Sequence, residues 1–182
     1  MNHKNMETLQ QGLDHIRQSP SDSGTLKLIV ARPAEDQRLE MEEGTLDVAG
    51  GLIGDNWESR GSSKTVDGSA LPEAQITLMN TRVLEIICDQ ESDWKLAGDQ
   101  LYGDMDLSKD NLPPGTKIFI GETELEVTPE PHTGCEKFSA RYGLDALKFI
   151  SNKEGRSRQM RGIYLKVLKG GTIRKGDQII KQ

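Results

Sequence analysis

The side chains best suited to chemistry in this chain surround Cys135, in the run His132-Thr-Gly-Cys-Glu-Lys-Phe138. His132 and Lys137 flank the thiol in the sequence, and Arg141 follows a few residues later. Basic neighbours favour the thiolate, which is the form of cysteine that attacks, carries sulfur or binds a metal ion. The pattern therefore predicts a working cysteine; the alternative is a small, buried, apolar residue.

Other signatures of chemistry are absent, and their absence argues against several enzyme classes. The sequence contains no Walker A run, no G-x-G-x-x-G, no C-x-x-C and no H-E-x-x-H. The histidines at positions 3, 15 and 132 are too scattered for a His-based zinc site. A Ser-His-Asp hydrolase would lack a G-x-S-x-G elbow. A cysteine hydrolase that pairs Cys135 with His132 stays formally open, although such close sequence neighbours in a loop rarely share a proton.

Composition predicts one folded domain. The chain has 182 residues, of which 34% are hydrophobic, and it is long enough to bury a core. No stretch approaches the roughly 20 consecutive apolar residues that cross a bilayer, and the N-terminus lacks the apolar region of a secretory signal. We therefore expect a cytoplasmic protein without a membrane partner, in which Cys88 and Cys135 are free thiols.

The charge is acidic overall but unevenly distributed. The 29 acidic and 23 basic residues give a net charge of -6, which argues against a nucleic-acid partner. More than half of the Lys and Arg residues lie in residues 137–182. These side chains form either a solvated charged face or a cluster that converges on Cys135, and such a cluster would suit an anionic small molecule such as a phosphate ester.

Hydrophobic spacing predicts an N-terminal helical extension followed by a β-rich domain. Residues 1–24 combine a short amphipathic helix with the turn-forming linker Ser19-Pro-Ser-Asp-Ser-Gly24. Short runs rich in Ile, Val, Leu and Thr then predict strands at 26–31, 38–42, 45–48, 75–79, 116–120, 124–128, 162–167 and 178–180. Helical spacing recurs at 80–88 and 144–151. The prediction for residues 26–182 is a mainly β fold, an antiparallel β-barrel with two or three short helices.

Five segments, in this order, resemble the MOSC domain, which is the C-terminal domain of molybdenum cofactor sulfurases. They are Gly51-Leu-Ile-Gly-Asp55, Ile76-Thr-Leu-Met79, Asn111-Leu-Pro-Pro-Gly-Thr-Lys-Ile-Phe-Ile-Gly121, Leu125-Glu-Val-Thr-Pro-Glu-Pro131 and Gly134-Cys-Glu-Lys-Phe138. The resemblance extends over roughly residues 26–182. The sequence departs from the family pattern at Asn56-Trp57, where many members have a basic residue and a histidine, and at Gly98-Asp-Gln-Leu101, where Gly-Glu-Asn-Leu is usual.

The resemblance implies a MOSC-type barrel in which the family's cysteine corresponds to Cys135. That cysteine is expected either to carry sulfur as a persulfide or to ligate the molybdenum of a bound molybdopterin cofactor, and a soft thiolate suits both roles. Basic side chains would pair with the cofactor's phosphate. The residues expected to contact the cofactor are Gly54, Asp55, His132, Lys137, Arg141 and Arg161.

The resemblance also implies partners. A chain of this length is too short for a pyridoxal phosphate fold as well as this barrel, so we expect no pyridoxal phosphate on it. Sulfur would come from a separate cysteine desulfurase or another donor, and a molybdoenzyme is a candidate acceptor. A sulfurtransferase-type or molybdenum-cofactor-dependent activity of the domain itself stays open. The alternative function is a non-catalytic binding or adaptor domain that retains the barrel and contacts a partner through its N-terminal helix.

Overall fold

The computed structural model describes residues 2–182 as a series of short strands and helices. The strands are β1 (Ser23–Ala31), β2 (Leu39–Met41), β3 (Glu43–Asp47), β4 (Gly51–Leu52), β5 (Ile76–Asn80), β6 (Leu101–Asp104), β7 (Lys117–Ile120), β8 (Thr123–Val127), β9 (Ile163–Lys169), β10 (Gly171–Arg174) and β11 (Gln178–Lys181). The α-helices are α1 (Met6–Gln11), α2 (Leu13–Arg17), α3 (Trp57–Arg60), α4 (Thr81–Ile87), α5 (Glu136–Tyr142), α6 (Leu144–Ser151) and α7 (Lys153–Ser157). Two 3-10 helices span Pro72–Ala74 and Glu91–Ala97.

Seven strands close into a barrel in the order β1-β6-β5-β9-β8-β7-β11. The last strand returns to the first, so that Ser23 lies opposite Ile180 and Thr25 lies opposite Gln178. Neighbouring strands are antiparallel except β5 and β6, which run parallel. Parallel neighbours need a crossover connection, and here α4 and the 3-10 helix Glu91–Ala97 provide it. A separate sheet contains β10, β3 and β4, and β2 pairs with the end of β1.

The wall of the barrel separates two apolar clusters. In β1, Ile29 belongs to the cluster that includes the side chains of β7, β8 and β11, while Leu28 and Val30 belong to a second cluster with the helices. Leu101 and Tyr102 of β6 divide in the same way. Successive side chains of a strand point to opposite faces, so both faces of these strands are covered. This explains why the apolar residues 28–31 follow one another in the sequence without alternating with polar ones.

The N-terminal segment packs on the helical side of the barrel. Leu9 and Ile16 are buried in the cluster that α4, α5 and α6 share. The backbone N–H of Met6 donates to the Asp145 carboxylate (3.0 Å), and Arg17 pairs with Glu154 (3.2 Å). The apolar stripe that the sequence shows in residues 6–16 is therefore covered by the chain itself.

The prediction of a mainly β barrel with short helices is confirmed, while the predicted number of helices was too low. Helix α5 escaped prediction because it is short and buries only Phe138 and Tyr142, too few apolar positions to establish a period. Strand β6 escaped because it contains Gly103, where a Cβ would collide with Ile179 of the opposite strand. Among residues 2–182 no helix combines the length and the apolar character that a membrane crossing requires.

Candidate functional site

A cavity of about 420 Å³ opens where the end of β1, the loop after β4, the end of the 3-10 helix Glu91–Ala97 and helix α5 meet. Its wall combines one thiol with six cationic side chains and two acidic ones. These residues are Cys135, Arg32, Arg38, Arg60, Lys137, Arg141, Arg161, Glu35 and Asp36. We call this space the cationic cavity. Its net positive lining contrasts with the acidic charge of the whole chain and suits an anionic ligand.

Cys135 lies at the N-terminal end of helix α5, and the residue is accessible to solvent. It is the N-cap residue, and its carbonyl accepts hydrogen bonds from the N–H groups of Phe138 (3.0 Å) and Ser139 (3.2 Å). The residue is exposed, in contrast to the buried Cys88. The preceding Gly134 lets the loop approach α6 closely, because a Cβ there would collide with Leu147. The fold thus holds the thiol at the cavity.

Arg32 is fixed by Asp55 behind the cavity wall. Its Nε and Nη2 donate to the two carboxylate oxygens (2.8 and 2.9 Å), and Nη1 donates to the carbonyl of Gly98 (2.9 Å). The side chains of Arg32 and Asp55 are only 9% and 1% exposed. A bidentate pair of this kind holds a guanidinium in one orientation. Asp55 therefore orients a cavity residue and does not itself line the cavity.

Arg161 is held by a second buried carboxylate, Asp99. Its Nη1 donates to Asp99 (2.7 Å), its Nη2 donates to the carbonyl of Ala97 (3.0 Å), and the guanidinium lies over the Phe138 ring at 5.3 Å. Burial alone would lower the pKa of Arg161, but Asp99 more than offsets this and the pKa is raised, so the guanidinium stays charged. Its Nε is buried without a hydrogen-bond partner.

His132 lies on the other side of this buried pair. Its Nδ1 is 3.6 Å from the other oxygen of Asp99, and its ring packs on Tyr164 with a centroid distance of 4.5 Å. Burial, followed by the charges of Arg161 and Arg32, lowers the pKa of His132 well below its usual value. The imidazole is therefore neutral. It does not line the cationic cavity.

Arg38 and Arg60 face the cavity without a carboxylate. Each of the other four cationic side chains of the cavity forms an ion pair, whereas these two form none with the described residues. Burial, and next the charge of Arg141, lowers the pKa of Arg38; burial, and next Arg32, lowers that of Arg60. The Nε of Arg38 is also buried without a partner. An anion placed here would relieve the repulsion between neighbouring guanidiniums.

The space in front of Gly98 has the form of a cradle between guanidiniums. A Cβ on this residue would lie 3.6 Å from Nη2 of Arg38 and 3.9 Å from Nη1 of Arg141. The residue has a φ of +91°, in the left-handed region that favours glycine, and it ends the 3-10 helix. A small anion can therefore approach both side chains without meeting a side chain at this position.

An acidic loop covers part of the cationic cavity. Lys137 Nζ lies 2.7 Å from Glu35 and 3.7 Å from Asp36, and Arg141 Nη2 lies 3.0 Å from Asp36. Hydrogen bonding to Glu35, followed by the charge of Asp36, raises the pKa of Lys137. The two carboxylates are 81% and 64% exposed. Ion pairs this exposed are weak and displaceable.

The structure brings together four of the site residues that the sequence predicts and leaves three outside the cavity. Cys135, Lys137, Arg141 and Arg161 line it together. Gly54, Asp55 and His132 do not: Gly54 is exposed on its loop, and the other two side chains are buried behind the wall. Asp55 instead orients Arg32, which does line it, and His132 lies beside Asp99, the partner of Arg161.

Sequence reasoning missed Arg32, Arg38, Arg60 and Asp99. Arg32 had one usable signal, because it directly follows the apolar run of β1 and so stands at a strand end. Arg38 and Arg60 lie in irregular or very short elements without any pattern. Asp99 and Gln100 stand where the family pattern has Glu and Asn, so an acid and an amide occupy these positions in both. Asp99 accepts a hydrogen bond from Arg161. Gln100 accepts hydrogen bonds from the N–H (2.8 Å) and hydroxyl (2.6 Å) of Thr77.

The family model of the MOSC domain matches residues 69–180 of this chain. The chain belongs to the MOSC domain family. The match includes Asp99, Cys135 and Arg161, whereas Arg32 and Asp55 precede it. The family is associated with binding of the molybdenum cofactor. Comparison with curated proteins finds no match to this MOSC domain.

Solved structures share the fold of this MOSC domain at low sequence identity. YuaD from Bacillus subtilis is 15% identical with a TM-score of 0.64, and the alignment covers 86% of this chain and 94% of that one. YiiM from Escherichia coli is 15% identical with a TM-score of 0.54, covering 87% and 69%. YiiM from Geobacillus stearothermophilus is 16% identical with a TM-score of 0.56, covering 87% and 75%. At these identities the likeness establishes the fold alone.

Proposed function

We propose that this MOSC domain binds the molybdenum cofactor in the cationic cavity and uses Cys135 as its reactive sulfur. The observation that carries the proposal is the meeting of an accessible thiol with six cationic side chains in one cavity. The volume of about 420 Å³ falls in the range of about 300–1,000 Å³ that small-molecule sites occupy. The cofactor's phosphate would lie among the guanidiniums, and its metal end would lie toward the thiol.

The side chains present fit such a ligand. Arg38 and Arg161 each keep a buried Nε without a hydrogen-bond partner, and Arg60 has no carboxylate. Guanidinium groups bind phosphate oxygens in bidentate geometry. Among residues 2–182 no cluster of three His, Cys, Asp or Glu side chains is placed to hold a metal ion. Cys135 therefore offers molybdenum one soft ligand, and the cofactor would bring the others.

The bound cofactor would supply redox chemistry at molybdenum. The chain's own residues bind and orient it. Asp99 and Asp55 keep Arg161 and Arg32 in fixed orientations, so these donors need little reordering when a phosphate arrives. Phe138 supports the Arg161 guanidinium from below.

Sulfur transfer is the second use of the same thiol. The Cys135 thiolate would attack the outer sulfur of a donor persulfide, the donor's S–S bond would break, and the electron pair would leave with the donor thiolate. The step needs no oxidant, because one persulfide is exchanged for another. A cysteine desulfurase is the fitting donor and a molybdoenzyme the fitting acceptor. The exposure of Cys135 supports this proposal, since a partner's persulfide must reach it.

The adaptor alternative has less support. It gives the N-terminal helix the task of contacting a partner, but the apolar side chains Leu9 and Ile16 of that segment are buried against the body of the domain. An adaptor would also have no need for unpaired guanidiniums beside an accessible thiol. The cationic cavity therefore favours ligand binding.

Titration with inorganic pyrophosphate tests the anion site directly. We expect wild-type protein to bind it, and we expect Arg38→Met to weaken binding by about tenfold or more, since a charged hydrogen bond contributes about 1.5–3 kcal/mol. Arg156→Met is the matched control, because Arg156 is exposed and lies outside the cavity. Calorimetry at low salt measures both. Equal weakening by the two variants, or no binding to wild type, contradicts the anion site.

Removing the acidic loop's charges should have the opposite effect. Glu35 and Asp36 occupy Lys137 and Arg141 when no ligand is bound, so they compete with an incoming anion. We expect the double variant E35Q/D36N to bind pyrophosphate several-fold more tightly, with a gain that shrinks as salt rises. The same calorimetric titration measures this. Unchanged or weaker binding would show that the loop does not compete with the ligand.

A further inference from the structure

A second cavity adjoins the cationic cavity. It has a volume of about 260 Å³, and its wall includes Trp57, Tyr164, Glu130 and Arg60. Arg60 lines both cavities, so the two spaces meet at this guanidinium. A space of this size is smaller than a typical site for a whole drug-sized ligand. It suits one part of a ligand whose other part lies in the cationic cavity.

One stretch of chain contributes to both cavities. Glu130 lines the second cavity and Cys135 lines the first, five positions later in the same loop. Glu130 stands between Pro129 and Pro131, whose rings fix the backbone on either side. The backbone at Glu130 is therefore restricted to few conformations.

The second cavity offers a carboxylate and aromatic surface. The Glu130 side chain is 17% exposed and pairs with Lys64, whose side chain is 59% exposed. That pair is weak because the lysine remains in solvent, and a ligand can displace it. Trp57 is 5% exposed, and the Tyr164 ring is held against His132 at a centroid distance of 4.5 Å. Rings held in this way present rigid apolar surface to a planar ligand.

We propose that the second cavity binds a planar heterocycle that presents two adjacent N–H donors, with both donated to the Glu130 carboxylate. An ionised carboxylate has two acceptor oxygens and takes such an edge in bidentate geometry. The 2-amino-4-oxo edge of pterins and guanine has this donor pair, whereas adenine presents a donor beside an acceptor. The ligand's phosphate would lie in the cationic cavity, with Arg60 between its two parts. The inference rests on the proposed function and specifies which organic group that site recognises.

Titrations with pyrophosphate, ADP, GDP and neopterin triphosphate test the inference by calorimetry. We expect GDP, neopterin triphosphate or both to bind the wild type about tenfold more tightly than ADP. Glu130→Gln should remove most of this preference, because the amide cannot accept two hydrogen bonds from the same edge. Pyrophosphate binding should stay unchanged in that variant. Glu91→Gln is the matched control, since Glu91 is exposed and lines neither cavity.

Each result has a definite meaning. A preference shown by the pterin alone, or by GDP alone, supports the inference and identifies the source of the heterocycle. Equal binding of GDP, neopterin triphosphate and ADP overturns it, as does a preference that survives Glu130→Gln. If pyrophosphate still binds in those cases, the anion site stands without the second cavity. Failure of wild-type protein to bind pyrophosphate overturns the proposed anion site as well.

Discussion

Replacing Asp99 with alanine is expected to lower the free energy of unfolding by about 3–5 kcal/mol, because it leaves the charge of Arg161 buried without its partner. The Asp99 side chain is completely buried, and that of Arg161 is 9% exposed. Arg161 Nη1 lies 2.7 Å from an Asp99 carboxylate oxygen, and burial of a charge without a partner is costly. Denaturant unfolding, compared at the transition midpoints, measures the change.

A surface ion pair provides the control for this prediction. Glu40 pairs with Lys95 at 2.7 Å, but their side chains are 47% and 33% exposed. Glu40→Ala should therefore cost less than about 1 kcal/mol. Asp99→Asn keeps the shape of the side chain, and its effect on the free energy of unfolding should lie between those of the two alanine variants. If Asp99→Ala costs no more than Glu40→Ala, the buried pair does not hold the cavity wall as we describe.

The second large effect concerns reactivity at Cys135. We expect native protein given a persulfide donor to gain one sulfur on the peptide that contains Cys135, and Cys135→Ser to lose this gain completely. The residue is exposed, so a donor can reach its thiol. The cationic side chains of the cavity would favour a negatively charged sulfur there. Because the residue is exposed, the serine variant should change the free energy of unfolding by no more than about 0.5 kcal/mol. Mass spectrometry of the digested protein measures the loading.

Cys88 is the internal control for that experiment. Burial raises the pKa of its thiol to about 12, and the thiol donates to the carbonyl of Leu84 at 3.1 Å. Cys88 should therefore stay unmodified in native protein. Sulfur that appears on Cys88, or that persists in Cys135→Ser, would mean that the accessible thiol is not the sulfur carrier.

Local patterns in the sequence were enough to predict that Cys135 lies at the same cavity as Lys137 and Arg141. Lys137 and Arg141 lie on the helix that Cys135 begins, so closeness in sequence became closeness in space. Arg161 is distant in sequence, and only the family resemblance indicated it. The β-rich character followed from short apolar runs, since strands such as β1 are buried on both faces.

The remaining half of the cavity wall depends on tertiary structure. Arg32, Arg38 and Arg60 come from the first third of the chain and reach Cys135 only because closure of the barrel brings these segments together. No short-range spacing along the chain encodes that meeting. For the same reason the sequence predicted contact between Asp55 and the ligand, whereas the folded chain uses the Asp55 carboxylate to hold Arg32.

The molybdenum content of protein purified without oxygen, from cells supplied with molybdate, tests the central claim most directly. Elemental analysis would compare wild type, Cys135→Ser and Arg38→Met at equal protein concentration. We expect molybdenum in the wild type and clearly less in Arg38→Met, with a loss in Cys135→Ser as well if the thiol ligates the metal. Wild-type protein without molybdenum, or equal amounts in all three proteins, would contradict binding of the cofactor in the cationic cavity.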